Sequence, residues 1–183
     1  KFEKAFAKYL GVKYALTLSS GTAALHLACI GCDLKAGDEV LVPEITFVAS
    51  ANAVKYVGAT PIFVDVEPDT WCMDPVSVRK AMTKKTKAIM PVHIYGHPAN
   101  MTELNKIAKE YGLKVIEDAC PAIGAEINGR KVGSLSDVAA YSFQGAKMLV
   151  TGEGGMLVTN NEKIYEKAQY YGNHAKDHNK LFW

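Results

Sequence analysis

Four kinds of side chain in this sequence stand where apolar runs give way to small or polar residues, and each can do chemistry there. Ser19-Ser20-Gly21-Thr22-Ala23-Ala24 follows the apolar run Tyr14-Ala15-Leu16-Thr17-Leu18 and opens a helical stretch. Backbone N–H groups and the positive end of a helix meet at such a point, and small residues let an anion approach, so the segment reads as a phosphate cup. Taken alone it is equally a plain Ser/Thr helix cap. Asp118 ends the apolar run Lys114–Asp118, where a carboxylate is costly without a cationic partner such as a protonated ring nitrogen. A turn or helix cap is the plainer use of such an Asp. Lys147 is the only lysine between Lys131 and Lys163 and sits among small and apolar residues. Burial there favours the neutral amine that a Schiff base needs, although a lysine beside a glycine-rich turn is more often a solvated loop residue. Phe47, just past another apolar run, can stack on a planar ring or simply fill a core. Together these make an anion cup, an aromatic plate, a strand-end carboxylate and an amine, which is what pyridoxal phosphate requires of a protein.

The elements that must position these groups are written in short apolar runs and helical punctuation. Runs 39–43, 61–65, 88–92, 114–118, 138–143 and 155–159 read as buried strands. Between them, Gly21-Thr22 starts a helix through Ala28, and another follows Phe47. Asp74-Pro75 caps and opens a helix through Met82. Thr102 caps a helix over Glu103–Tyr111 that Gly112 ends, and Asn160 or Asn161 caps one through Tyr170, with Gly172 just beyond. Residues 1–9 are helical, with Phe2, Phe6 and Tyr9 on one side. This alternation predicts an α/β fold, a mostly parallel sheet flanked by helices, with ligands bound outside the carboxyl ends of its strands.

With 183 residues, 49% hydrophobic and a net charge of +2, the composition is that of an ordinary globular domain and excludes collagen-like, coiled-coil and disordered classes. The balanced charge gives no footprint for nucleic acid, and no apolar run is long enough to cross a membrane. Four cysteines are too few for a secreted disulfide framework, and nothing at the start resembles a signal peptide, so a reducing cytoplasm is expected. Cys29 and Cys32 have redox spacing but lie in an apolar helical run and read as a buried structural pair. His174 and His178 have metal-like spacing without a third ligand, so no metal is expected. His93 stands near the cofactor region in a supporting role, His26 reads as core-facing, and Lys80, Lys84, Lys85 and Lys87 form a solvated cluster. A start without Met inside a helical pattern, and an end on Leu181-Phe182-Trp183, suggest a piece of a longer protein.

The sequence resembles the DegT/DnrJ/EryC1/StrS group, the sugar aminotransferases of the fold-type I pyridoxal-phosphate class. The matching stretches are 20–25, 37–40, 43–50 and 58–65, followed by 92–96, 116–119, 141–143 and Lys147 with Gly152-Glu153-Gly154-Gly155. The resemblance implies that residues 1–183 are the cofactor-binding large domain, lacking a small C-terminal one. It implies that Gly21, Thr22 and Ala23 hold the phosphate, Ser142 adds a bond to it, and Phe47 stacks on the ring. Asp118 would pair with the ring nitrogen, and Lys147 would form the Schiff base and move the proton. The implied reaction carries an amino group from an amino acid, L-glutamate, to a keto sugar, nucleotide-linked, in polysaccharide biosynthesis. A homodimer is implied for the full-length protein. Alternatives are a dehydratase-like relative, in which the lysine is typically replaced by His, relatives acting on cyclitols or aromatic precursors, and a non-catalytic fragment. One departure stands out. Where the family usually places Gln, His or Glu, this chain has Pro121, which bears on cofactor tuning and substrate choice.

Overall fold

The apolar runs line up side by side in a computed structural model of the protein, which describes residues 1–175. In chain order the elements are α1 (Phe2–Leu10), β1 (Tyr14–Leu18), α2 (Gly21–Gly31), β2 (Glu39–Pro43), α3 (Ala49–Tyr56) and β3 (Thr60–Val64). They continue with α4 (Pro75–Lys80), β4 (Thr86–Ile89), a short 3-10 turn at Ile94–Gly96, α5 (Met101–Tyr111) and β5 (Lys114–Asp118). The remainder is β6 (Glu126–Ile127), β7 (Arg130–Lys131), β8 (Val138–Ser142), β9 (Gly155–Thr159) and α6 (Glu162–Gly172). His178 and the apolar end Leu181–Trp183 lie outside the described residues.

Seven strands form one sheet in the order β1-β9-β8-β5-β4-β2-β3, while β6 and β7 make a separate hairpin. The pairs β2–β3, β2–β4, β4–β5 and β5–β8 are parallel, whereas β9 runs antiparallel to both neighbours, β1 and β8. The mostly parallel sheet expected from the alternation is therefore present, with one reversed strand. That reversal matters to the site. Because β9 returns beside β8, the link between them is a loop at the carboxyl edge rather than a crossover helix.

Helices cover both faces, which is why β5, β8 and β9 are buried almost throughout and why β8 and β9 read as nearly unbroken apolar runs. One face packs α2, α3 and α6 against the sheet, with Leu25, Val54, Met90, Ile116 and Ile164 in its core. The other carries α1, α4 and α5. On that side Phe6 meets Tyr141 and Phe143 edge-on at 5.0 and 5.6 Å, so α1 grips the end of β8 where the next loop begins.

Helix ends differ in detail from the sequence expectation. Asn100, not Thr102, caps α5, because starting at Met101 buries that side chain to 2% exposure. Gly112 ends α5 in the left-handed conformation, as expected. The Asp74 cap is present, but α4 stops at Lys80, short of Met82. Asn161 is the cap of α6, and Gly172 falls inside its last turn, followed by Asn173. The strand expected over 88–92 is shifted earlier, to Thr86–Ile89.

Candidate functional site

The carboxyl ends of β2, β5 and β8 and the start of α2 border one cavity of about 930 Å³. Gly21, Thr22, Phe47, Asp118, Ser142 and Lys147 all line it, although they come from segments spread over most of the chain. Ala23 does not line it. Its N–H donates to Ser20 Oγ at 3.1 Å as the helix cap, and the residue borders a neighbouring groove with Thr17 and His26. The Ala23 N–H is thus engaged within the helix cap, and of the residues expected to form a cup Gly21, Thr22 and Ser142 line the cavity.

Close packing explains why the cup is built from small residues. A Cβ on Gly21 would come within 2.7 Å of Ser142 Cβ and 2.8 Å of Cys120 Sγ. A Cβ on Gly155 would lie 2.2 Å from the Ser20 carbonyl oxygen. The start of α2 thus rests directly on the first residue of β9. Gly155→Ala must push that backbone away and is expected to cost about 2 kcal/mol of stability, read as a lower midpoint in urea unfolding. An unchanged midpoint would show that the cup is looser than this packing.

Asp118 is 4% exposed. Its Oδ2 accepts from Ser50 Oγ at 2.7 Å and its Oδ1 from the Cys120 N–H at 3.2 Å. Ser50 Oγ has a single hydrogen, and the shortest of its bonds to an acceptor-only group is this one. Thr46 Oγ1, 2.8 Å from Ser50 Oγ, then donates to Ser50, giving a Thr46–Ser50–Asp118 chain. Two donors on a carboxylate leave acceptor capacity for a cationic N–H, and the side chain lines the cavity. The Cys120 bond is the turn cap that a strand-end Asp can make, and the remaining capacity fits a protonated ring nitrogen. Ser50→Ala removes a buried donor to Asp118 and is expected to lower stability by about 1 to 2 kcal/mol, with thermal unfolding as the check.

Phe47 is 70% exposed, which sets aside the reading of a core aromatic. Lys147 is half-buried, and its Nζ lies 6.0 Å from the Phe47 ring centroid. The loop that carries it is tied down at its base. Phe143 N–H donates to Gly154 O, Thr151 N–H to Phe143 O, and Lys147 N–H to Gln144 O, at 2.9, 3.0 and 2.9 Å. Pro121 lines the cavity too, as do Tyr95, Cys120 and Glu153, which sequence reasoning had not singled out as site residues. Tyr95 carries a signal only in its backbone, at φ 50°, which no sequence pattern discloses. Burial and the nearby Asp118 push the Cys120 thiol up, so it stays protonated.

His93 takes no place at the cavity. It is fully buried, its Nε2 2.9 Å from Glu117 Oε2 and its Nδ1 accepting from the Ala99 N–H at 3.0 Å. Burial pushes the Glu117 carboxyl up, but the hydrogen bonds from His93 and the Gly133 N–H outweigh it, and the group ends below the usual 4.5. A lowered carboxylate contributes stability that is complete above the unfolded value of 4.5 and is lost as pH falls through the folded value. Thermal stability should therefore drop as pH is lowered from 5 toward 3 (roughly the carboxylate range), and Glu117→Gln should flatten that part of the profile. A profile unaltered by the substitution would assign the acid sensitivity to other carboxylates.

The other candidates are quieter. Cys29 and Cys32 are buried free thiols; burial pushes Cys29 up to about 12 and Cys32 up as well, so neither is a nucleophile. His26 is half-buried against Tyr56, 5.4 Å between ring centres. Lys80, Lys84, Lys85 and Lys87 are exposed. Among the described residues no group of three His, Cys, Asp or Glu is placed to hold a metal ion, and no helix is long and apolar enough to cross a membrane.

Known proteins share this fold and much of its sequence. The model of the DegT/DnrJ/EryC1/StrS aminotransferase family matches residues 1–183. A GDP-perosamine synthase of Caulobacter vibrioides is 46% identical over 183 residues, all of this chain and 49% of that protein. An aminotransferase structure from Psychrobacter cryohalolentis superimposes with a TM-score of 0.94 at 40% identity, covering 100% of this chain and 49% of that one. NtdA from Bacillus subtilis, solved with bound cofactor PMP, gives a TM-score of 0.91 at 38% identity, covering 98% and 41%. The chain spans about half the length of the curated relatives it matches.

Proposed function

Since the chain belongs to the DegT/DnrJ/EryC1/StrS aminotransferase family, we propose that it is the cofactor-binding part of a pyridoxal-phosphate-dependent sugar aminotransferase. The reaction moves an amino group from an amino acid, L-glutamate, to the carbonyl carbon of a keto sugar, nucleotide-linked, for polysaccharide or sugar biosynthesis. The protein works as a cytoplasmic homodimer. The observation that carries this reading is the convergence of Gly21, Thr22, Phe47, Asp118, Ser142 and Lys147 on one cavity.

Pyridoxal phosphate, when bound, supplies the electron sink that lets the donor's α-hydrogen depart as a proton. The chain's own residues do the rest. The first-turn backbone of α2 at Gly21 and Thr22, with the Ser142 hydroxyl, binds the phosphate at the positive end of the helix. Phe47, exposed at the cavity, would stack on the ring and shield it from water. Asp118, oriented by Ser50 and the Cys120 N–H, holds a proton at the ring nitrogen. Lys147 Nζ takes the proton from the donor carbon and returns it, general base then general acid. Pro121 offers no side-chain donor or acceptor at the cavity wall, so orientation of the sugar falls to other groups.

The test is an assay of the full-length protein with pyridoxal phosphate, L-glutamate and a panel of nucleotide-linked keto sugars. Formation of 2-oxoglutarate matched mole for mole by amino sugar is expected. Binding of cofactor with loss of water from the sugar and no amino product would favour a dehydratase instead.

A further inference from the structure

Glu117 and His93 form a fully buried pair that none of the steps above uses, and it sits directly behind the cavity wall. Successive residues of a strand point to opposite faces. On β5, Asp118 lines the cavity while Glu117 faces the other layer. Glu117 Oε2 accepts from the Gly133 N–H at 2.6 Å and faces His93 Nε2 at 2.9 Å, and Oε1 accepts from the Leu135 N–H at 2.9 Å. His93 is fixed in turn, because its Nδ1 accepts from the Ala99 N–H. A ring whose Nδ1 is an acceptor must carry its hydrogen on Nε2, so His93 donates to the carboxylate. Three donors thus converge on one carboxylate.

The segment that carries His93 also holds the backbone of Asp118. The His93 N–H donates to the Asp118 carbonyl at 3.2 Å, and the Asp118 N–H donates to the Pro91 carbonyl at 2.9 Å. The segment after β4 and the end of β5 are therefore joined twice, once through backbone and once through the buried pair. Displacing Glu117 moves the residue bonded to it, and that residue is Asp118.

We infer that Glu117 and His93 are positioning residues that set where the Asp118 carboxylate stands in the cavity, through the shared clamp on Gly133, Leu135 and Ala99. The inference rests on the proposed pairing of Asp118 with the cofactor's ring nitrogen. Charge as well as shape is required. Glutamine at 117 would turn an N–H₂ group toward donors, so an isosteric substitution breaks the clamp.

The test uses the full-length protein titrated with pyridoxal phosphate and followed by visible absorbance, with unfolding temperature measured alongside. Glu117→Gln is expected to raise the cofactor's dissociation constant about tenfold, and to move the bound absorption maximum in the same direction as Asp118→Asn does. A residue that serves only folding would lower the unfolding temperature and leave both cofactor readouts alone; that result overturns the inference. Should Glu117→Gln fail to fold, His93→Leu, which keeps the volume and two of the three donors, takes the same readouts with the same two outcomes. If Asp118→Asn itself alters neither affinity nor spectrum, the ring-nitrogen pairing is wrong, and the inference falls with it.

Discussion

Lys147→Ala, made in the full-length protein, should reduce amino transfer by about a thousandfold or more while the protein stays folded. The expectation follows from the place of the side chain. Lys147 lies on the loop between β8 and β9, half-buried, with its Nζ 6.0 Å from the exposed ring of Phe47. Among the described residues no other lysine borders the cavity, so no second amine in its wall can take over. Stability should barely change, because the loop is held by backbone bonds from Phe143, Thr151 and the Lys147 amide rather than by the amine. Steady-state turnover together with a thermal melt is the check. Turnover within about tenfold of the parent would place the proton-moving group elsewhere.

Asp118→Asn should have the next largest effect, a loss of about 100-fold or more in turnover. The substitution keeps the shape, and the amide oxygen can still accept from Ser50 or from the Cys120 N–H, so the protein should fold. What is lost is the negative charge that keeps a ring nitrogen protonated. With a neutral ring the electrons released at the donor carbon have no sink. Cofactor affinity should weaken as well, and the visible absorption maximum should shift. A variant with parental turnover and spectrum would return Asp118 to the status of a structural cap.

Much of this arrangement can be read from sequence because the strands are buried on both faces. Runs such as Val138–Ser142 and Gly155–Thr159 stay mostly apolar without alternation, and they end at the edge where the cavity lies. The same property hides strand direction. An unbroken apolar run looks identical whether the strand is parallel or, like β9, reversed, so the direction of β9 shows only in the structure. Short elements were equally hidden: β6 and β7 have two residues each, too few for any period to register. Caps failed where chemistry was degenerate. Asn100 and Thr102 can both accept from a first-turn N–H, and burial of Met101 decided between them.

The site follows the same division. Gly21, Thr22, Phe47, Asp118, Ser142 and Lys147 could be singled out because each stands at a strand end or helix start. The resemblance adds Ala23 to them, and which N–H the Ser20 side chain takes shows only in the structure. Ser50 and Thr46 could not be found as partners of Asp118, which is 68 residues from Ser50 along the chain. His93 was placed near the cofactor for its position after a strand, yet its ring turns inward to Glu117. Inward or outward at the last residue of a strand is a matter of a single step in register, and sequence alone does not settle it.

The most direct test of the account is chemical trapping on the full-length protein. Pyridoxal phosphate is added, excess is removed by dialysis, and the complex is reduced with borohydride, digested and mapped by mass spectrometry. The account predicts a single pyridoxyl adduct on Lys147. An adduct confined to another lysine, or label scattered over exposed residues such as Lys84 and Lys85, would contradict it.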